Sequence, residues 1–258
     1  MSATIHHTAL VDPTAEIGND VEIGAFAIVG PHCIVGDGSR IAARATLERN
    51  VTLGQGVSVG IGTVLGGDPQ DLKYKGEPTR VEVGDGTTIR EYSTINRGTT
   101  QSFKTSVGRN CFIMSYVHLA HDCHVGDGVI ISNGTQLAGH VTIDEKAILS
   151  GQIGIHQFAT IGRYCFIGGC SRVNKDIPPY VKAVGNPIKL YGLNVVGLER
   201  NGFPEEVRRE LKRAYRMFFK SELNLSQARA RAEAELHPYA EIKEFLAFFE
   251  RSDRGSVV

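Results

Sequence analysis

One hydrophobic pattern runs through most of the chain, in which a large aliphatic residue occurs at every sixth position. The series extends from residue 5 to 65, resumes from 83 to 95, and resumes again from 107 to 173. An α-helix would show a period near 3.6 residues, and a half-buried strand a period of 2. A period of six therefore predicts a repeat architecture with one short strand in each unit.

A second pattern places a small residue two positions before most of the large aliphatic ones, as in Ala15 before Ile17. Residues two apart on a strand face the same side, so each repeat offers one small and one large apolar group to a common interior. A glycine often follows the aliphatic residue, as Gly18 does. Because glycine adopts turn dihedrals that other residues resist, we expect a corner of this kind after each strand.

Short strands joined by tight corners coil into a parallel β-helix, in which each coil hydrogen-bonds to the next at roughly 4.8 Å. Each coil then needs only its neighbours for stability. The pattern resembles the hexapeptide repeat of the left-handed parallel β-helix. This resemblance implies the three-sided section and the left hand, because the general rule for parallel crossovers would predict the opposite hand.

Two interruptions of the period predict loops that project from the scaffold. The aliphatic residue expected at position 71 comes only at Val83, so about twelve residues are inserted, and a second insertion of about six lies near residues 97–105. We place the extruded loops near 66–82 and 96–106. Loops held by a rigid scaffold are where function concentrates.

A change of period marks the end of the repeats. Prolines near residue 187 stop the hexads, and from about residue 189 the hydrophobic spacing becomes helical. One amphipathic helix is predicted over 205–220, and Asn224 with Gln227 predicts the capping pair of another. The predicted organisation is an all-β left-handed parallel β-helix over 1–188, followed by a small α-helical C-terminal domain over 189–258.

Composition excludes several classes of protein. The chain has 28 basic and 28 acidic side chains, so its net charge favours neither nucleic acid nor a membrane as partner. No apolar run could span a bilayer, and residues 1–7 lack the basic region and apolar core of a signal peptide. We expect a cytoplasmic protein. Four of its five cysteines lie at the small inward positions and are predicted to be packed free thiols.

A histidine cluster is the strongest candidate for chemistry. Five of the nine histidines fall in the last regular stretch, and four of them form the candidate cluster: His118, His121, His140 and His156. Because a three-sided coil contains eighteen residues, His121, Gly139 and Gln157 are predicted to share one column. Once the eighteen inserted residues are subtracted, His121 has the phase of Gly67, where the large loop begins. The loop and the histidines should therefore share one edge of the prism.

This cluster has three interpretations. The first is a metal site, because imidazole is a common metal ligand and the γ-class carbonic anhydrases bind zinc through three histidines on this scaffold. The spacing of three between His118 and His121 argues against it, since side chains on one strand point the same way only at even spacing. The second is surface histidines without a role. The third, which we favour, is general-base catalysis, with Asp122 orienting His121.

Several stretches resemble one family closely. They are Gln70-Asp71-Leu72-Lys73-Tyr74, Gly76-Glu77-Pro78-Thr79-Arg80, His118-Leu119-Ala120-His121-Asp122-Cys123, Leu137-Ala138-Gly139-His140 and His156-Gln157-Phe158. These stretches are similar to the UDP-N-acetylglucosamine 3-O-acyltransferases, which begin lipid A synthesis, and the likeness covers essentially the whole chain. The resemblance implies a homotrimer with active sites in clefts between neighbouring subunits. We expect no metal and no cofactor.

The resemblance implies a role for each matching residue. His121 is the general base that takes the proton of the sugar 3-hydroxyl, whose oxygen attacks the thioester of an (R)-3-hydroxyacyl chain on acyl carrier protein. Asp122 orients His121, and the Gly139 N–H stabilises the oxyanion. The residues implied to contact sugar, phosphate or acyl groups are Gln70, Asp71, Lys73, His118, His140, His156, Gln157, Asn194 and Arg200. Those implied to set acyl length are Phe166 and Gly169.

Three departures from the family pattern affect the implied nucleotide site. The chain has Asn96 where many members have His, Val196 where a Glu often occurs, and Asn201 where a second Arg commonly follows Arg200. They leave open whether the acceptor is a 3-hydroxyl or the 3-amino group of a UDP-diamino sugar. The helix predicted over 205–220 has six basic and three acidic residues, which suits docking of the acidic carrier protein. A solvated helix face is the alternative.

Three other functions stay open on sequence grounds. The related N-acyltransferase of the same pathway carries a domain before its repeats, whereas the repeats here start by Ile5. A metal-dependent hydratase of the γ-carbonic-anhydrase type would differ in metal content. A non-catalytic trimeric scaffold would bind the nucleotide sugar without turnover.

Overall fold

The computed structural model describes residues 2–252 and 255–257. The predicted domains also include residues 1, 253, 254 and 258, which lie outside the described residues. Most strands are two residues long, as the six-residue repeat requires, because the remaining four residues of each unit form the corner. The strands before the first loop are β1 Thr4–Ile5, β2 Leu10–Val11, β3 Glu16–Ile17, β4 Glu22–Ile23, β5 Ile28–Val29, β6 Ile34–Val35, β7 Arg40–Ile41, β8 Thr46–Leu47, β9 Val51–Leu53, β10 Ser58–Val59 and β11 Val64–Gly67.

The strands after the first loop continue the same pattern. Those up to the second loop are β12 Arg80–Val83, β13 Thr88–Ile89 and β14 Thr94–Asn96. Those after it are β15 Lys104–Val107, β16 Phe112–Ile113, β17 His118–Leu119, β18 His124–Val125, β19 Ile130–Ile131, β20 Gln136–Leu137, β21 Thr142–Ile143, β22 Ile148–Leu149, β23 Gly154–Ile155, β24 Thr160–Ile161, β25 Phe166–Ile167, β26 Arg172–Val173, β27 Val181–Val184 and β28 Lys189–Leu193.

Successive strands fall in rotation on three sheets, which form the faces of a prism. Sheet 1 has 11 strands and contains β1, every third strand up to β25, and then β27 and β28. Sheet 2 has 9 strands from β2 to β26, and sheet 3 has 8 strands from β3 to β24. The coils pair in parallel, eighteen residues apart, as His118 pairs with Gln136. The final pair, β27 with β28, is antiparallel.

The pairing register confirms both predicted insertions. Leu53 pairs with Val83, and 83 − 53 = 30, which is one coil of eighteen plus twelve inserted residues. Val83 pairs in turn with Val107, and 107 − 83 = 24, which is one coil plus six. The first insertion projects between β11 and β12 as residues 68–79, which we call the flap. The second lies between β14 and β15.

The inward residues stack into one core that runs along the prism. On sheet 2 the buried aliphatic ladder contains Val29, Leu47, Leu65, Ile95, Leu119, Leu137, Ile155 and Val173. The four cysteines at small inward positions, Cys33, Cys111, Cys123 and Cys165, are buried free thiols, as predicted. The first coil differs, because Ile5 is 46% exposed at the end of the prism, where no described coil covers it.

The expected reason for the glycines after each aliphatic residue was wrong. A Cβ at Gly30 would lie 1.8 Å from the carbonyl oxygen of Glu48, so this glycine permits the close approach of the next coil. The left-handed φ falls two residues later, at some glycines such as Gly38 at 69° but also at residues with a side chain, including His32 at 57° and Asp122 at 58°. The glycines therefore pack the coils together, and other residues turn the corners.

Helices cover the C-terminal end of the prism. Those in the described part of the chain are α1 Val195–Arg200, α2 Glu205–Phe219, α3 Leu225–Glu235 and α4 Ala240–Phe248. Asn224 and Gln227 form the predicted capping box of α3. None of these helices combines the length and the apolar character needed to cross a membrane. The domain boundary at residue 188 stays a prediction.

Candidate active site

The corners between sheets 2 and 3 form the edge where most of the predicted site residues meet. His121, Gly139 and Gln157 each lie two residues after a strand of sheet 2, one coil apart. Backbone hydrogen bonds join these corners: the His140 N–H donates to His121 O at 3.0 Å, and the Phe158 N–H donates to Gly139 O at 3.1 Å. The flap joins sheet 2 to sheet 3 and therefore projects from the same edge.

Gly139 makes room for the ring of His121. A Cβ at residue 139 would lie 2.6 Å from Cε1 and 2.7 Å from Nε2 of His121, so the imidazole occupies the space of the missing side chain. Asp127 occupies the position that corresponds to Gly139 at the corner after β18. Its side chain accepts the N–H of Arg109, one coil earlier, at 2.7 Å. The Gly139 N–H donates to no acceptor among the described residues. Gly139 is itself buried but lines the first groove described below, so its N–H is a candidate donor to an oxygen of a molecule bound there.

The Asp122 carboxylate is buried among hydrogen-bond donors. Oδ1 accepts the Thr99 N–H at 3.0 Å and the Ser102 N–H at 3.2 Å, together with the Ser102 hydroxyl. Oδ2 accepts the Thr99 hydroxyl at 2.7 Å and Nδ1–H of His121 at 2.8 Å. Burial by itself would raise the pKa of Asp122, but the donors outweigh it and bring the pKa to about 2. Asp122 is consequently ionised throughout the neutral range.

The hydrogen bond to Asp122 selects one tautomer of His121. An ionised carboxylate can only accept, so in the neutral ring Nδ1 carries the proton and Nε2 carries the lone pair. The His121 side chain is only 13% exposed, and it lines both cavities described below. The arrangement places an oriented proton acceptor at the edge of the prism.

His118 supplies a second imidazole on the sheet 2 face. Its Nδ1 lies 2.7 Å from the Thr94 hydroxyl. Burial, and then the charge that His121 would carry when protonated, lower the pKa of His118. At neutral pH this side chain therefore offers a hydrogen bond rather than a positive charge.

His140 and His156 lie on the same edge in different surroundings. The His140 ring stacks on Phe158, with ring centroids 4.4 Å apart, and its Nδ1 lies 3.7 Å from Oδ2 of Asp122. Burial lowers the pKa of His140. His156 is exposed, and its Nδ1 lies 3.1 Å from the carbonyl oxygen of Gln157. His140 is thus held in place by packing, whereas His156 is free to meet a ligand.

Two cavities open on either side of His121. The first groove, of about 610 Å³, follows sheet 2 and is lined by Gln70, His118, Ala120, His121, Gln136, Leu137, Ala138, Gly139, Gly154, Ile155, His156, Gln157, Arg172 and Val173. The second groove, of about 620 Å³, lies beneath the flap and is lined by Gln70, Asp71, Leu72, Lys73, Tyr74, Glu77, Thr99, Thr100, Gln101, His121, His140, Gln157 and Phe158. The structure thus brings His121 together with the predicted residues on the flap and on the next two coils.

Besides Asp122, which is buried beside His121, four predicted site residues line neither groove. Asn194 caps α1, where its Oδ1 accepts the Gly197 N–H at 3.2 Å and its Nδ2 donates to Tyr164 O at 2.9 Å. Arg200 ends the same helix. Phe166 lies on sheet 1, and Gly169 follows at the next corner. A single chain therefore does not gather these residues around His121.

Sequence reasoning missed the residues that hold the site in place. Thr99 and Ser102 surround Asp122, and Thr94 contacts His118. Thr99 and Ser102 fall inside the second insertion, which interrupts the six-residue period. Their positions in the sequence therefore could not predict that they contact Asp122. The contact of Thr94 with His118 could have been predicted, because Thr94 precedes His118 by 24 residues, which is one coil plus the six-residue insertion.

A metal at this edge fits the residues poorly. His121, Asp122 and His140 offer ligand atoms within 4.8 Å of one another. However, the Asp122 oxygens already accept hydrogen bonds from Thr99, Ser102 and His121, and a metal would have to displace these donors. The site is built to orient an imidazole, which favours acid–base chemistry over metal binding.

Gly139→Ala is expected to lower kcat about 100-fold with little change in thermal stability, because the new methyl group would push the His121 ring from its position. The measurement is kcat at saturating substrate together with a thermal melt. A variant that melts like the wild type and retains its kcat would show that the contact between residue 139 and His121 has no catalytic importance.

Comparison with known proteins shows the family to which the chain is similar. A family model described as UDP-N-acetylglucosamine O-acyltransferase, domain 2, matches residues 176–257. A second, described as bacterial transferase hexapeptide (six repeats), matches residues 14–49 and 104–139. The acyl-acyl-carrier-protein–UDP-N-acetylglucosamine O-acyltransferase of Burkholderia mallei is 45% identical over 75% of this chain and 76% of its own. Its counterpart from Thiobacillus denitrificans is 46% identical over 75% of each chain.

Solved structures show the same likeness over nearly the full length. LpxA of Bacteroides fragilis, a UDP-N-acetylglucosamine acyltransferase, superposes with a TM-score of 0.97 at 40% identity and covers 99% of this chain and 100% of its own. LpxA of Acinetobacter baumannii gives 0.95 at 39% identity, covering 98% and 99%. The predicted left-handed parallel β-helix with a helical C-terminal region is confirmed. With its repeats, its C-terminal helices and its full-length likeness all in agreement, this chain belongs to the UDP-N-acetylglucosamine O-acyltransferase family.

Proposed function

We propose that this enzyme transfers an (R)-3-hydroxyacyl chain from acyl carrier protein to the 3-hydroxyl of UDP-N-acetylglucosamine, the first step of lipid A biosynthesis. The observation that carries the proposal is the hydrogen-bonded pair of His121 and Asp122 beside the N–H of Gly139, between two grooves. The names of the relatives agree with this reaction.

His121 acts as the general base of the proposed reaction. Its Nε2 takes the proton of the sugar 3-hydroxyl while that oxygen attacks the thioester carbonyl carbon. The carbonyl oxygen becomes an oxyanion, which the Gly139 N–H stabilises. When the intermediate collapses, the carbon–sulfur bond breaks, and the His121 imidazolium protonates the departing thiolate. Asp122 keeps its negative charge throughout and stabilises the imidazolium.

The remaining site residues bind the substrates in this proposal. Those that contact sugar, phosphate or acyl groups from the chain that holds His121 are Gln70, Asp71, Lys73, His118, His140, His156 and Gln157. Asn194 and Arg200 line neither groove, so we infer that a neighbouring subunit of a homotrimer supplies them to the nucleotide. Arg200 suits a diphosphate because it stays charged and offers several donors. The implied compartment is the cytoplasm.

One face of α2 suits an acidic carrier protein. Its exposed basic residues, at helical spacing, are Arg209, Lys212 and Arg216, and Lys220 follows as the C-cap. The two other basic residues of the helix are partnered, Arg208 with Glu199 and Arg213 with Glu210. These four cations outnumber the exposed Glu205 and Glu206 of the first turn, so the exposed surface is positive on balance and complements an acidic carrier protein.

Gly169→Met is expected to shift the preference to shorter acyl chains, because the family resemblance places this residue at the end of the acyl groove. A Cβ there would lie 3.2 Å from Gly151 O, with Ser150 Cβ and the Gly151 nitrogen at 3.8 and 4.0 Å, so the side chain fits after a small adjustment. We expect the rate with the longest accepted chain to fall roughly tenfold or more relative to shorter ones. The measurement is kcat/KM over a series of hydroxyacyl carrier proteins, and an unchanged series would reject the assignment.

The proposed function is tested by incubating purified protein with a panel of (R)-3-hydroxyacyl carrier proteins and either UDP-N-acetylglucosamine or its 3-amino analogue. We expect an ester with the first sugar and one free carrier thiol for each product formed. The departures at Asn96, Val196 and Asn201 make the second sugar an essential comparison. Turnover of the amino sugar alone, or no turnover of either sugar, would refute the proposal.

A further inference from the structure

The second loop contacts the flap at one end and Asp122 at the other. We call residues 96–102 the strap. Its first two residues hold the base of the flap, and two later ones hold the carboxylate that orients His121. The two sets of contacts belong to one short stretch of chain, so neither is independent of the other.

The flap end of the strap is a buried arginine. The Arg97 guanidinium is 1% exposed and donates to Tyr74 Oη at 2.8 Å, as well as to Gly66 O and the Asp68 carboxylate. The Arg97 N–H donates to Gly67 O at 2.9 Å. A buried cation that loses its partners is strongly destabilised. Asp68 and Tyr74 belong to the flap, whereas Gly66 and Gly67 end β11, so a shift of the flap away from the prism would take two partners from the buried guanidinium.

The other end of the strap surrounds Asp122. Thr99 and Ser102 each donate both a backbone N–H and a hydroxyl to its carboxylate. Both oxygens are held in this way, and Oδ2 also accepts Nδ1–H of His121. The direction in which Asp122 meets His121 thus depends on where the strap lies.

The stretch of chain that joins the flap end of the strap to its Asp122 end is short and tightly packed. Only Gly98 separates Arg97 from Thr99. A Cβ at residue 98 would lie 2.4 Å from the backbone nitrogen of Lys104, so the strap lies directly against the first strand after it. A displacement at Arg97 therefore reaches Thr99 within two residues.

We propose that the strap couples the position of the flap to the alignment of the His121–Asp122 pair. Arg97, Thr99 and Ser102 are the positioning residues. This inference rests on the proposed function. Gln70, Asp71 and Lys73 line the grooves beside His121. When the flap lies over the substrate, the strap holds Asp122, which keeps Nε2 of His121 directed at the sugar hydroxyl. A variant whose flap is held less firmly therefore has a slower chemical step.

A double-mutant cycle tests this coupling. Tyr74→Phe removes a partner of Arg97 without touching Asp122, and Thr99→Val removes one donor to Asp122 without touching the flap. We expect kcat to fall roughly tenfold for Thr99→Val and several-fold for Tyr74→Phe. The double variant should lose at least about threefold less than the product of the two single losses. Ser102→Ala in place of Thr99→Val gives a second, independent cycle.

The matched control is Thr79→Val. Thr79 lies at the end of the flap, and its buried hydroxyl makes no hydrogen bond within the described residues, so kcat should stay within about twofold of the wild type. If the losses in kcat of the single variants simply multiply in both cycles, or if Tyr74→Phe raises only the KM for the sugar, the proposed role of the strap is wrong. The proposed function would be unaffected by either result. Absence of turnover by the wild type would overturn the proposed function, and the role of the strap with it.

Discussion

His121→Ala is expected to lower kcat by about 10²–10⁴-fold, because it removes the group that accepts the proton of the sugar hydroxyl. The fold should persist, since the ring lies at a corner outside the continuous apolar core, and the backbone hydrogen bond from the His140 N–H to His121 O remains. The measurement is the initial rate with acyl carrier protein and UDP-N-acetylglucosamine, with the oligomeric state checked by light scattering.

The control for this variant is His124→Ala. His124 lies three residues further along, on β18, where its Nδ1 lies 2.9 Å from the Ser106 hydroxyl, and it lines neither groove. It should retain nearly the wild-type rate. Near-normal activity of His121→Ala, or an equal loss in both variants, would remove His121 as the general base.

Asp122→Asn is expected to lower kcat by about 10²–10⁴-fold although the substitution changes the size of the side chain very little. The backbone N–H groups of Thr99 and Ser102 point at Oδ1, so the amide oxygen would take this place. The amide NH₂ would then face Nδ1 of His121 and donate to it. The ring would carry its proton on Nε2, where the lone pair is needed.

The loss at Asp122 should appear in kcat rather than in the KM for the sugar, because the tautomer matters for proton transfer and not for binding. Asp127→Asn is the control, since that carboxylate pairs with Arg109 at another corner of the prism and lines neither groove. A normal kcat for Asp122→Asn would contradict the assignment of the Nδ1–H tautomer.

The six-residue period predicted the scaffold and one edge of the site once the three-sided section and the left hand were taken from the family resemblance. A repeat converts sequence spacing into spatial position, so His121, Gly139 and Gln157 could be stacked from their numbers alone. Counting the inserted residues placed the flap on the same edge, and the pairing of Leu53 with Val83 confirms that count.

The contacts that complete the site could not be predicted in this way. Thr99 and Ser102 lie in an insertion, where spacing no longer determines position, and their partner Asp122 is identified only by folding. The glycines that follow the aliphatic residues were explained wrongly by turn dihedrals. Their actual cause, the close approach of the next coil, involves residues about eighteen positions away, which a local sequence pattern does not show. Asn194 and Arg200 line neither groove of their own chain, so the role proposed for them rests on the homotrimer that we propose.

The most direct test of the central claim is a crystal structure of the enzyme with UDP-N-acetylglucosamine bound. The account predicts the sugar 3-hydroxyl within hydrogen-bonding distance of Nε2 of His121, with the Gly139 N–H facing the position of the thioester carbonyl oxygen. A sugar whose 3-hydroxyl points away from His121, or a nucleotide bound on another edge of the prism, would contradict it.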